Sequence, residues 1–150
     1  MATINIRLDK RGNKPDKHGR FNLSVIVQHK GEVLYLNVDK LTEQQKQFYY
    51  NQCLEREINN GGFNQYFFNS SGDFAHKTVQ SLQIIGANKT AVILQMAIEQ
   101  FPNSIVPEDR TERQDILEQI QETADVVWED LDQKFFSYED DLNTLNIERS

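Results

Sequence analysis

Apolar and polar residues keep one rhythm over the first forty positions and another after that. Ile4, Ile6 and Leu8 alternate with Asn5 and Arg7, and Phe21, Leu23, Val25 and Val27 alternate with polar neighbours. A period of two predicts half-buried strands. Lys30-Gly31 reads as a tight turn, and Val33 to Val38 returns as a third strand. The stretch Lys10 to Arg20 is polar and rich in turn formers, so it predicts a long basic hairpin loop. Three short strands are marginal alone, which implies that one face of this meander lies on something else.

From Leu41 the rhythm becomes helical. Thr42-Glu43-Gln44-Gln45 fits a capping box and opens a helix to about Ile58, stopped by Asn59-Asn60-Gly61-Gly62. A short helical piece follows from Phe63 to Phe68. Helices are then predicted from about Asp73 to Ile85, ending at Gly86, and from Lys89 to Phe101, ending before Pro102. A long helix runs from near Asp109 to about Phe135, and a last one covers Tyr138 to Ile147. The expected class is α+β: a three-stranded antiparallel sheet in residues 1–40, then an all-helical domain of five to six helices in residues 41–150.

Composition narrows the function. The chain has 150 residues, with one cysteine and a net charge of -7. A mean hydropathy of -0.65 leaves no apolar run of the roughly 20 residues that a membrane span needs. Met1 to Arg7 has no apolar h-region, so no secretory signal is expected and the default compartment is the cytoplasm. Cys53 alone offers neither an internal disulfide nor a thiolate zinc cluster. The charge is polarised. Residues 1–40 hold eight basic and four acidic side chains, whereas residues 105–150 hold fourteen acids and four bases. Such a split bears on partners.

The long helix carries the sharpest signal. Asp115, Glu118, Glu122, Asp125, Glu129 and Asp132 recur at spacings of 3 and 4, within an arc of about 100°. Apolar Ile116, Leu117, Ile120, Ala124, Val127, Trp128, Leu131 and Phe135 occupy the other side. All six acids are expected to face water as one ridge, where burial would not tune their pKa values. Asp130, Glu139, Asp140 and Asp141 extend the same field. Like charges at i,i+4 cost a helix about 0.2–0.5 kcal/mol per pair, a cost that mixed signs would have avoided. Two readings stand: a solvated face, or a surface that imitates the phosphate row of a nucleic acid and attracts a basic DNA-binding protein.

The segment Glu57 to Gly72 is unusual in composition. Asn60-Gly61-Gly62 can reverse the chain with positive φ, Phe63, Phe67 and Phe68 can anchor the next turn, and the amides of Gln65 and Asn69 can bond freed backbone groups. A phosphate loop would need a following Gly-Lys-Ser/Thr, which is missing. Glu57 ahead of Asn59-Asn60-Gly61-Gly62-Phe63, then Gln65-Tyr66-Phe67 and Asn69, resembles the DMP-type DNA-mimic family. Ile85-Gly86-Ala87, Asp109-Arg110 with Arg113, and a closing acidic helical pair extend the resemblance over residues 42–150. The resemblance implies an all-helical domain, often dimeric. In a characterised member of that family an acidic surface imitates duplex DNA and occupies a transcription factor.

Residues 1–40 are instead similar to the arm-type DNA-binding sheet of tyrosine recombinases, through the Lys10 to Arg20 hairpin, Gly19 before Phe21-Asn22-Leu23-Ser24-Val25, and Lys30-Gly31. The threonine-glycine pair that usually ends the third strand is missing, and no recombinase core follows. Arg7, Lys10, Arg11, Lys14, Lys17 and Arg20 are the residues that could meet phosphates in that reading, or the sheet could dock on the acidic helices. Catalytic chemistry is not expected. His18, His29 and His76 lack zinc spacing, and Asp73 and His76 near Ser70 and Ser71 do not make a triad. Cys53 has no neighbouring cation in the sequence that would favour a thiolate, so a core thiol is expected. The expected protein is therefore a non-enzymatic acidic interaction module without cofactor or metal. Its partner would be a basic DNA-binding protein, with a DNA-binding regulator acting through the basic sheet as the alternative.

Overall fold

The computed structural model describes the backbone at residues 3–5, 24–29 and 32–149, and the side chains at residues 38–148. The chain divides into two compact units, Met1–Lys46 and Gln47–Ser150. In the first, backbone pairing joins β1 (Thr3–Asn5), β2 (Ser24–His29) and β3 (Glu32–Asn37) antiparallel in that order, with Ile4 opposite Val27 and Val27 opposite Leu34. The side chains of these residues lie outside the described set, as does the whole Lys10–Arg20 loop.

The α+β expectation is corrected: the part of the chain whose side chains are described, residues 38–148, is all-α. Residues 38–149 contain five α-helices, three short 3-10 turns and no strand. The described hydrophobic core runs from Leu54 to Leu142 and is drawn from the helices and the turns between them. The reason lies in α1 and its neighbours, which supply enough apolar faces to bury one another. The five helices are α1 (Glu43–Phe68), α2 (Ala75–Ile85), α3 (Asn88–Ile98), α4 (Arg110–Phe136) and α5 (Leu142–Arg149).

Helix α1 opens with the reciprocal cap its sequence suggests: Gln45 N–H donates to Thr42 Oγ1 at 3.2 Å, and Thr42 N–H donates to Gln45 Oε1 at 3.0 Å. The helix breaks at Gly61-Gly62 and resumes at Phe63. Gly62 takes φ 71, a left-handed backbone that favours glycine, and a Cβ there would collide with the carboxylate of Asp132. The break turns Phe63, Tyr66 and Phe67, all fully buried, into the middle of the core. Phe67 meets Phe101 at 4.9 Å and Trp128 at 5.2 Å between ring centroids. Trp128 Nε1–H donates to Ala97 O at 3.0 Å and so ties α4 to α3.

Local chemistry sets the remaining boundaries. Gly86, at φ 86, ends α2. Helix α3 stops at Ile98 and not at Phe101: Gln100 N–H and Phe101 N–H donate back only three residues, to Ala97 O and Ile98 O, and the chain then turns with positive φ at Asn103 and Ser104. Asp109 caps α4 by accepting Glu112 N–H at 2.9 Å. The last helix starts at Leu142, not Tyr138. Tyr138 sits at φ 46, and Asp141 accepts from Thr144 N–H at 3.1 Å and Thr144 Oγ1–H at 2.7 Å, which makes it the cap.

Candidate partner-binding surface

Helix α4 presents opposite chemistry on its two sides. Leu117, Ala124, Trp128, Leu131 and Phe135 are buried in the core. Arg113, on the same helix and fully buried, is saturated. It donates to the carbonyls of Phe67 (2.6 Å), Asn69 (2.8 Å), Pro107 (2.7 Å) and Glu108 (3.3 Å), and pairs with Asp73 at 2.6 Å. Those contacts fix the first turns of α4 against the segment after α1. Gly72 is required there, since a Cβ would stand 2.7 Å from Arg113 Nε.

Four of the six expected ridge acids, Asp115, Glu118, Glu122 and Glu129, are exposed and enter no ion pair among the described residues. Two depart from the expectation. Asp125 and Asp132 are half-buried, on the edge of the arc that turns toward α1. Asn64 Nδ2–H donates to Asp125 Oδ1 at 3.0 Å, and Phe63 N–H donates to Asp132 Oδ1 at 2.9 Å. Burial pushes the Asp132 carboxyl up to about 6; the Phe63 N–H opposes the rise and the nearby Glu129 adds to it. The expectation that no acid of this row would be tuned by burial is therefore corrected at Asp132. Asn64, Asp125, Trp128, Glu129 and Asp132 line an open cleft of about 320 Å³.

The outlying acids are partly committed to structure. Asp130 is exposed and pairs with Lys134 at 2.6 Å. Glu139 pairs with Lys89 at 2.7 Å. Asp140 accepts from Thr90 N–H at 2.7 Å and Thr90 Oγ1–H at 3.0 Å, at the start of α3. Asp141 caps α5, and the Thr144 hydrogen bonds hold its carboxyl below the usual range. The spacing rule that found the row also reaches one residue further back: Glu112, three positions before Asp115, is exposed on the first turn of α4.

The Asn-Gly-Gly-Phe segment builds an internal network. Glu57 is buried, and its carboxylate accepts from Gln65 Nε2–H (2.8 Å), Asn69 Nδ2–H (2.9 Å), Arg56 Nη2–H (3.1 Å) and Ser71 Oγ–H (3.3 Å). Burial alone would raise its pKa; the bonds from Gln65, Asn69 and Arg56 outweigh that and leave it lowered. Gly61, Gly62 and Phe63 form the break, and Asn60 is exposed beside it. Asn59 Nδ2–H reaches Glu55 O at 2.9 Å and Tyr138 Oη at 2.7 Å.

Other reactive side chains are absorbed by the fold. Cys53 is buried, and burial pushes its thiol up; contrary to the sequence reading a cation does lie nearby, Arg56 Nη2 at 3.8 Å from Sγ. His76 Nε2 accepts Val106 N–H at 3.1 Å, while Asp73 serves Arg113. Among the described residues no cluster of three or more His, Cys, Asp or Glu is placed to hold a metal, and no helix is long and apolar enough to cross a membrane. Arg7, Lys10, Arg11, Lys14, Lys17 and Arg20 lie outside the described residues.

Comparison with known proteins gives one finding. A family model described as DMP19-like protein matches residues 39–149. The match leaves out residues 1–38, where the recombinase likeness falls. No curated protein and no solved structure matches the chain.

Proposed function

This chain belongs to the DMP19-like protein family, and from that premise we propose that it is a non-enzymatic interaction module whose acidic α4 face takes the place of duplex DNA on a basic DNA-binding protein. One observation carries the reading. Asp115, Glu118, Glu122 and Glu129 stand exposed and unpaired among the described residues, on a helix whose opposite side is locked into the core. Duplex DNA carries one negative charge per about 1.7 Å of axis; the helical steps of about 4.5, 6 and 10.5 Å between these four acids are coarser, the first two being nearer to phosphate spacing along one strand. Rigid placement matters as much as sign. A partner that must meet a fixed charge pattern loses less entropy when the pattern is already held.

The same charges would speed encounter with a basic surface and make the complex weaken as salt rises. The test is displacement. A labelled duplex is bound to each of a panel of purified DNA-binding regulators and nucleoid-type proteins, and this protein is titrated in. We expect release of the duplex from at least one of them. With Asp115, Glu122 and Glu129 changed to their amides, release should need at least tenfold more protein. Equal release by the folded amide variant, or none from any member of the panel, contradicts the reading.

A further inference from the structure

The exposed face of α4 is not uniformly charged. Val126 is 72% exposed, the most exposed large apolar side chain among the described residues. It lies four residues after Glu122, three before Glu129 and four before Asp130, so acids border it on both axial sides. At about 100° per residue it falls within roughly 20° of Asp115, near the middle of the exposed arc, and it is also midway along the helix. Polar side chains would cost nothing at such a position, and helix propensity disfavours a β-branched one.

Single exposed apolar residues are common; the position of this one gives it meaning. Stable interfaces concentrate binding in a desolvated apolar centre ringed by polar contacts. A surface that reads duplex DNA has the matching layout: cations for the phosphates, around an apolar side chain that packs on a thymine methyl. We propose that Val126 is the apolar anchor of the acidic face, seating against an apolar side chain at the centre of a basic protein surface. The inference rests on the reading of the α4 face as a partner-binding surface, and charge complementarity selects the occupant. Acids set the attraction and its salt dependence, whereas Val126 decides which basic surfaces fit.

Two synthetic helical peptides of arginine and alanine test this, identical except for leucine or serine at the central exposed position. Binding of each to the full-length protein is measured by fluorescence anisotropy across a salt series, for wild type, Val126→Ser and the Glu122→Gln/Glu129→Gln pair. The leucine peptide should bind wild type about fivefold or more tighter than the serine peptide. That ratio should fall to near one in Val126→Ser. In the Glu122→Gln/Glu129→Gln variant both peptides should weaken together, with a shallower salt dependence and the ratio kept. Equal binding of the two peptides to wild type, or a ratio untouched by Val126→Ser, overturns the anchor while leaving the electrostatic reading standing. Absence of salt-dependent binding by either peptide removes both. A dimer in sedimentation that Val126→Ser dissociates would give the face to a second copy and overturn the proposal.

Discussion

Arg113 and Glu122 stand less than three turns apart on α4, yet their surroundings are opposite. Arg113 is fully buried, with four carbonyls and Asp73 around it. Glu122 is exposed and enters no ion pair among the described residues. The same contrast separates Glu57 of α1, buried under four donors, from the outer row of α4. Inside, each charge is matched because an unmatched one would cost several kcal/mol. Outside, water tolerates an unmatched charge, and the row remains available to a partner. One helix thus carries a matched charge on its inner side and, on its outer side, the row proposed for recognition.

The largest effect tests the inner side. Arg113→Met should orphan four carbonyls and Asp73 and lower unfolding free energy by about 3–5 kcal/mol in urea titration. Glu57→Ala should cost about 3 kcal/mol by leaving its donors unsatisfied. A folded-state pKa below the unfolded one means that Glu57 contributes stability fully above about pH 4.5, and that the contribution is lost as pH falls through the lowered value. Acid denaturation curves of Glu57→Gln should therefore lack part of the wild-type fall below that pH. If either variant unfolds like wild type, the inner network is not what holds the break in place.

A medium effect sharpens the boundary between the two sides. Gly62→Ala must accept φ 71 and a clash with Asp132, and should cost about 1–3 kcal/mol. Part of that loss should return when Asp132 is shortened to alanine in the same chain. The smallest effect is at Asp132 itself. Its folded-state pKa of about 6 lies above the ordinary carboxylate value, so the ionised form weakens the fold. Stability should improve as pH drops from about 6 toward 4. Asp132→Asn, which keeps an oxygen for Phe63 N–H, should raise Tm slightly at pH 7.5 and leave it unchanged near pH 4. A Tm equal to wild type at both pH values would mean that Asp132 is as well solvated as its neighbours.

Sequence made the outer side easy to read and the inner side hard. The 3 and 4 spacing of acids on α4 is local, so the helix and its four exposed acids could be read directly. Asp125 and Asp132 escaped because their partners, Asn64 and Phe63, are 61 and 69 residues away. Arg113 reads in isolation as one more surface cation, since nothing local announces the carbonyls of Phe67 and Asn69. Asp141 read as part of an acidic field, whereas Thr144 three residues later marks it as a cap. The class was misjudged for a related reason. Alternation in residues 1–40 predicts strands, but the described core, from Leu54 to Leu142, is built from helices and the turns between them.

Recognition by this protein turns on whether the outer acids act together through charge. The direct measurement is equilibrium binding to a purified basic DNA-binding protein over a salt series, with wild type beside a variant carrying amides at Asp115, Glu122 and Glu129. A steep fall of affinity with salt in wild type, and a weaker, shallower dependence in the variant at unchanged thermal stability, is the predicted result. Superimposable curves for the two proteins, or affinity independent of salt, would contradict it.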